Sequence, residues 1–193
     1  SNLWAVILAG GSGKRLWPLS RKSLPKQFIE LDNSDTFLSR SISRALKLDN
    51  LKKILIVAGE THLHLVQKTL KEFPDIDCSI LLEPEGRNTA PAIYAAAKYV
   101  YDLDKDSTIL VIPSDHNYEE EALIDTVNKV LEVKQENQII TLGVKPSSPE
   151  IGYGYIHHNA EENVLKKIKM FKEKPDLETA KGYLSTNEFF WNS

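Results

Sequence analysis

The stretch Leu3-Trp4-Ala5-Val6-Ile7-Leu8-Ala9-Gly10-Gly11-Ser12-Gly13-Lys14-Arg15-Leu16 decides the fold. Leu3–Ala9 is a short, continuous apolar run closed by glycines, which predicts a buried strand. Three glycines within the four residues Gly10–Gly13 follow it. Glycine lets the backbone come close to a ligand and turn several N–H groups into one concavity. Lys14 and Arg15 come next, then Arg21, Lys22 and Lys26, so a local anion site arises in a chain of formal net charge −3. A polyphosphate suits such a loop better than a single carboxylate. A plain strand-end turn would need neither the glycines nor the cations.

Two familiar phosphate loops do not match. The dinucleotide fingerprint G-x-G-x-x-G fails because Gly11-x-Gly13 leads to Leu16. The P-loop requires Gly-Lys followed by Ser or Thr, but Gly13-Lys14 meets Arg15. Pro18 also prevents a long helix directly after the glycines.

Working outward, apolar runs alternate with helical patterns. Ile54–Ala58, Ile80–Leu82, Ile109–Ile112 and Ile139–Val144 read as further strands. Thr36–Leu48, Thr61–Phe73, Asn88–Tyr101 and Glu119–Glu136 carry apolar residues at helical spacing. Asn88 or Thr89 can cap the third of these helices. This βαβα order predicts a three-layer α/β/α, Rossmann-like fold with a mostly parallel, mixed sheet. After Val144 the style changes. Pro146, Pro149, Gly152 and Gly154 mark loops, Tyr153–His157 and Val164–Lys172 look extended, and Leu177–Leu184 suits a short helix. The abrupt aromatic ending, Phe189-Phe190-Trp191-Asn192-Ser193, leads us to expect one catalytic domain over residues 1–193, truncated at its C-terminus.

Composition excludes several classes. A length of 193 residues fits one domain with a real core, and 41% hydrophobic with 26% charged residues is ordinary globular usage. The acidic balance favours neither nucleic acid nor an anionic membrane. The lone Cys78 excludes an internal disulfide framework and reads as a buried strand residue. No apolar stretch approaches a membrane span, so a cytoplasmic protein is expected.

Three further clusters have chemical content. Glu83-Pro84-Glu85-Gly86-Arg87-Asn88-Thr89 turns from a strand into a helix N-terminus, where either helix capping or an anion is at home. Pro113-Ser114-Asp115-His116 ends a strand, and ligands of open α/β sheets bind beyond strand carboxyl ends. Asp115 there suits a hard cation such as Mg²⁺ or, equally, a helix cap. The adjacent His157 and His158 would face opposite sides of a strand, which argues against a shared metal.

The run Leu8-Ala9-Gly10-Gly11-x-Gly13-x-Arg15-Leu16-x-Pro18-Leu19, followed by Pro25-Lys26-Gln27-Phe28, resembles the defining motif of the sugar-nucleotide pyrophosphorylases. Ser12, Trp17, Ser20 and Arg21 resemble the branch of that family that makes GDP-mannose. Lys14 departs from the family's usual Thr. The resemblance runs from Leu8 to Ser193 and implies a GT-A-like nucleotidyltransferase that transfers a guanylyl group from GTP to mannose 1-phosphate. It implies Arg15 and Lys26 as catalytic residues. Nucleotide contacts fall to Leu8, Gly10, Gly11, Ser12, Gly13, Lys14, Glu83, Gly86, Arg87 and Asn88. Gly154, Glu173, Lys174 and Asn192 fall on the sugar phosphate, and Asp115 on Mg²⁺. No nucleic acid or membrane partner is implied, and a homo-oligomer is admitted. Three alternatives stay open: a pyrophosphorylase for glucose 1-phosphate with UTP or dTTP, a non-catalytic nucleotide-sensing module on the same fold, and a Rossmann oxidoreductase.

Overall fold

The computed structural model describes residues 2–10, 24–30, 35–115, 119–158 and 164–192. They fall into two compact units, Ser1–Asp125 and Thr126–Ser193.

The first unit is built on β1 (Leu3–Leu8). Around it lie β2 (Leu51–Gly59), β3 (Cys78–Glu83) and β4 (Thr108–Pro113), in the order β3-β2-β1-β4. Every pair is parallel. As a central strand, β1 carries five consecutive buried residues, Leu3–Ile7, none more than 2% exposed. That is why its sequence is apolar without alternation: a strand covered on both faces has no polar side.

The two faces have separate cores. Trp4 and Val6 pack with Leu55, Val57 and with Ala92, Ala96 and Val100 of α3 (Thr89–Leu103). The small alanines of α3 let the helix lie close on the sheet. Ala5 and Ile7 alternate to the other face. There α1 (Phe37–Ala45) packs on β1 and β2, with Leu38 and Ile42 fully buried. A further helix, α2 (Leu63–Leu70), packs on β2 and α1, with Val66 fully buried. Burying one such aliphatic side chain stabilises the fold by roughly 1.5–3 kcal/mol.

α1 begins where Thr36 and Ser39 form a reciprocal cap: the Ser39 amide donates to Thr36 Oγ1 and the Thr36 amide to Ser39 Oγ. This satisfies two backbone donors that a helix start leaves orphaned. The expected helix over Thr36–Leu48 therefore starts one residue later, with Thr36 as its cap. Asn88 occupies the capping position of α3, but its side chain makes no capping bond.

The division between units falls within α4 (Glu120–Val133). The second unit holds an antiparallel sheet in the order β5-β8-β6-β7, from β5 (Gly143–Val144), β6 (Gly154–His158), β7 (Ile168–Glu173) and β8 (Phe189–Asn192). α5 (Leu177–Thr186) covers it, capped by Asp176, whose Oδ1 accepts from the Thr179 amide at 2.8 Å. That bond holds the Asp176 carboxyl below its ordinary range. Tyr155, Ala180 and Phe189 are the core here.

One expected strand changes. Of Ile139–Val144, only Gly143–Val144 is strand, and it pairs antiparallel with β8 rather than joining the parallel sheet. Ile139 is 96% exposed. At Gly143 a Cβ would stand 2.7 Å from Phe190 Cβ, so the close approach of β8 there needs glycine. Apolar composition alone does not report which partner a strand meets.

Candidate functional site

The parallel register brings the carboxyl ends of the four strands of the first unit to one rim. Leu8 lies beside Val57 and Pro113, and Gly59 beside Glu83. Loops leaving that rim carry residues that the sequence singles out, so Leu8, Gly10, Glu83 and Asp115 come together by topology.

Three hydrogen bonds set the rim. The Ala9 amide donates to Val57 O at 2.8 Å. The buried Gln27 side chain donates to Ala9 O at 2.7 Å. Ser114 donates its hydroxyl to Leu8 O at 2.7 Å. The backbone entering the glycine loop is thus tied to β2, to the end of β4 and to the segment Pro25–Phe28. Gln27 belongs to a 3-10 turn, Lys26–Phe28, anchored by the buried Phe28 ring. This turn is what presents Lys26 to the rim.

Lys26 Nζ donates to the backbone carbonyl of Asp115 at 2.9 Å and stands 3.8 Å from its Oδ2. It also lies over the Phe37 ring, 5.0 Å from the centroid. Positive charge is therefore held next to the proposed cation ligand, and both side chains remain partly open to solvent.

Glu83 closes the other side. A Cβ on Gly10 would come 2.9 Å from Glu83 Oε2, so the carboxylate lies against the glycine backbone. Burial pushes the Glu83 carboxyl up from its ordinary value.

The segment after Glu83 is less enclosed. Gly86 has open space where a Cβ would be. The Arg87 guanidinium turns to Glu85, with Nη2 2.9 Å from Oε2, and stands mostly in solvent. Asn88 adopts φ 66° with ψ −172°, an extended positive-φ conformation that is ordinarily glycine's. Gly11, Ser12, Gly13, Lys14 and Arg15 lie outside the described residues.

In the second unit, Gly154 pairs with Glu173, and a Cβ on Gly154 would come 2.8 Å from Glu173 Oε2. Lys174 takes φ 44° and places its Nζ 3.5 Å from Glu173 Oε1. The register that pairs Tyr155 with Trp191 carries Asn192 toward Gly154. All four residues expected at the sugar phosphate therefore share one end of this sheet. His157 and His158 part company: His157 Nε2 lies 3.0 Å from Glu188 Oε2, and His158 stacks on Phe190. Among the described residues no cluster of three or more His, Cys, Asp or Glu is suited to a metal.

Ser114, the Gln27 side chain and Phe37 make contacts at the rim that sequence reasoning did not assign. Gln27 was legible as part of Pro25-Lys26-Gln27-Phe28. Phe37 gave no signal beyond the start of an apolar helix face.

No helix among the described residues is long and apolar enough to cross a membrane. The chain is 41% identical to the xanthan biosynthesis protein XanB of Xanthomonas campestris pv. campestris (strain B100), over 100% of this chain and 41% of that protein. It is 40% identical to a mannose-1-phosphate guanylyltransferase of Salmonella montevideo, over 97% of this chain and 41% of that protein. It therefore spans about two fifths of the length of these curated relatives. A solved structure described as a mannose-1-phosphate geranyltransferase from Thermus thermophilus superposes with TM-score 0.85 at 31% identity, covering 100% of this chain and 56% of that one. The sequence model described as Nucleotidyl transferase matches residues 4–193. Parallel sheet, glycine-loop rim and matched sequence agree, and the chain belongs to the nucleotidyl transferase family.

Proposed function

We propose that this chain carries the site that transfers a guanylyl group from GTP to mannose 1-phosphate, giving GDP-mannose and pyrophosphate. The observation that carries the reading is the convergence of Gly10, Lys26, Glu83 and Asp115 on one strand-end rim. The similarity to a mannose-1-phosphate guanylyltransferase supports the choice of substrates.

The sugar phosphate is already an anion, with a second pKa near ~6. Its phosphate oxygen attacks the α-phosphorus of GTP, and the bond from that phosphorus to the bridging oxygen of the β-phosphate breaks. No general base is required. The protein's task is in-line positioning and stabilisation of charge. Gly11, Ser12, Gly13 and Lys14 are assigned to cradling the phosphates and Arg15 to the departing pyrophosphate. Lys26 is assigned to the α-phosphate, where its ammonium opposes the developing negative charge. Leu8, Glu83, Gly86, Arg87 and Asn88 are assigned to the nucleoside, and Gly154, Glu173, Lys174 and Asn192 to the sugar phosphate. Both units are read as parts of one catalytic domain.

Asp115 fits a divalent cation. It is one partly open carboxylate on a rim suited to phosphates, and Mg²⁺ commonly takes one or two carboxylates with phosphate and water oxygens. When bound, such an ion neutralises phosphate charge and orients the reactants.

The test is pyrophosphate release from each pairing of the four nucleoside triphosphates with mannose 1-phosphate and glucose 1-phosphate. GTP with mannose 1-phosphate is expected to be fastest. A faster pairing with UTP or dTTP would overturn the specificity, and nucleotide binding without turnover would overturn the activity.

A further inference from the structure

Lys26 is held by more than the rim. Its ammonium lies between the Asp115 backbone carbonyl at 2.9 Å and the face of Phe37, 5.0 Å to the centroid. Phe37 is the first residue of α1, directly after its cap. The Thr36–Ser39 bonds, at 2.8 and 3.0 Å, define where that helix begins. The Ser41 hydroxyl donates to the Phe37 carbonyl at 2.9 Å, and Thr36 bridges to Glu30 antiparallel. The ring thus stands on a pinned backbone, while Lys26 stands on the anchored turn Lys26–Phe28.

The Asp115 carboxylate oxygen stands 3.8 Å from the ammonium, and the Phe37 ring adds a hold on it without adding a second negative charge. The ring attracts a cation through its quadrupole, yet carries no charge that would neutralise it. It also takes up no N–H···O hydrogen bond: lysine has three donors, and among the described residues the Asp115 carbonyl accepts one. The long, flexible stem of lysine otherwise wanders among rotamers, and that disorder must be removed before the ammonium can act at a defined point. We propose that Phe37 is a positioning residue, holding the Lys26 ammonium at the rim through its ring face so that it meets the phosphate charge already oriented. This rests on the role assigned to Lys26 in the proposed function.

Two measurements test it. In protein labelled with ¹³Cε-lysine, the Lys26 signal, assigned through Lys26→Arg, is expected to be displaced by the ring current of Phe37. Phe37→Leu, which keeps an apolar side chain, should return that signal to the ordinary lysine range. Phe37→Tyr should retain the displacement. In the reaction, Phe37→Leu should lower kcat about threefold with the KM for nucleotide unchanged, the scale expected of a partly exposed cation–π contact. Phe37→Tyr should restore kcat. An undisplaced Lys26 signal in the wild-type protein overturns the proposal, as does wild-type kcat in Phe37→Leu. If the wild-type protein releases pyrophosphate from no pairing, the reading of the site fails instead, and the labelled-lysine spectrum alone decides whether the ring holds the ammonium.

Discussion

The Ser114 hydroxyl, just past the end of β4, donates to the Leu8 carbonyl at the end of β1 across 2.7 Å, and the Ser114 amide donates to the same oxygen at 3.1 Å. One residue further on is Asp115, and two residues beyond Leu8 is Gly10. These two hydrogen bonds therefore set the spacing between Gly10 and the proposed cation ligand, Asp115. Ser114→Ala removes the shorter bond from a buried position. It is expected to cost about 1 kcal/mol in urea unfolding and to weaken the divalent-ion dependence of turnover. Unchanged stability and ion dependence would show that the amide bond suffices.

Removing charge from the proposed nucleotide site should act on the chemical step. Lys26→Ala and Arg15→Ala are each expected to lower turnover at least tenfold, since single charge-stabilising donors contribute about 10²–10³. Steady-state pyrophosphate release measures it. Near-normal turnover by purified Lys26→Ala would remove Lys26 from the mechanism.

Gly154 is a tight point of the second unit. A Cβ there would meet both Glu173 Oε2 and Phe171 Cζ at 2.8 Å. Gly154→Ala should push the carboxylate aside and raise the KM for the sugar phosphate, leaving nucleotide affinity unchanged by calorimetry.

Cys78 lies half-buried on β3, and burial pushes its thiol up to about 11. Little thiolate exists near neutral pH. Alkylation at pH 8 is expected to run about a hundredfold slower than for a free cysteine, and to reach the ordinary rate once the chain is unfolded in urea.

Asp104, at the end of α3, accepts from Lys52 and from Asn2, and these bonds hold its carboxyl well below the usual carboxylate range. A carboxyl depressed in the folded state lends stability above its unfolded pKa, near ~3.9, and loses it as pH falls toward the folded value. The stability difference between wild type and Asp104→Asn should therefore be constant above about pH 5 and shrink below about pH 4. Urea titrations across that range measure it, and a pH-independent difference would mean the contribution is not ionic.

Much of the scaffold was legible because its cause is local. Continuous apolar runs marked β1 to β4, and helical spacing marked α1 to α4. The boundaries shifted by a few residues where caps intervened, as at Thr36. Local signals failed where a partner decided the outcome. Ile139–Val144 reads as a strand by composition, yet only Gly143–Val144 finds one to pair with. Asn88 or Thr89 reads as a helix cap, but Asn88, which occupies the capping position at positive φ, makes no capping bond.

The sequence by itself determined that the chain is a strand–helix alternation entered through a glycine-rich, cationic loop. Those features lie in adjacent residues, where steric freedom, periodicity and charge act over a few positions. Tertiary structure alone decided that Glu83 closes on Gly10, that Ser114 locks onto Leu8, and that the Lys26 ammonium rests between the Asp115 carbonyl and Phe37. Most of these partners lie far apart in the chain, and the parallel register of the sheet is what brings their strand ends to one rim.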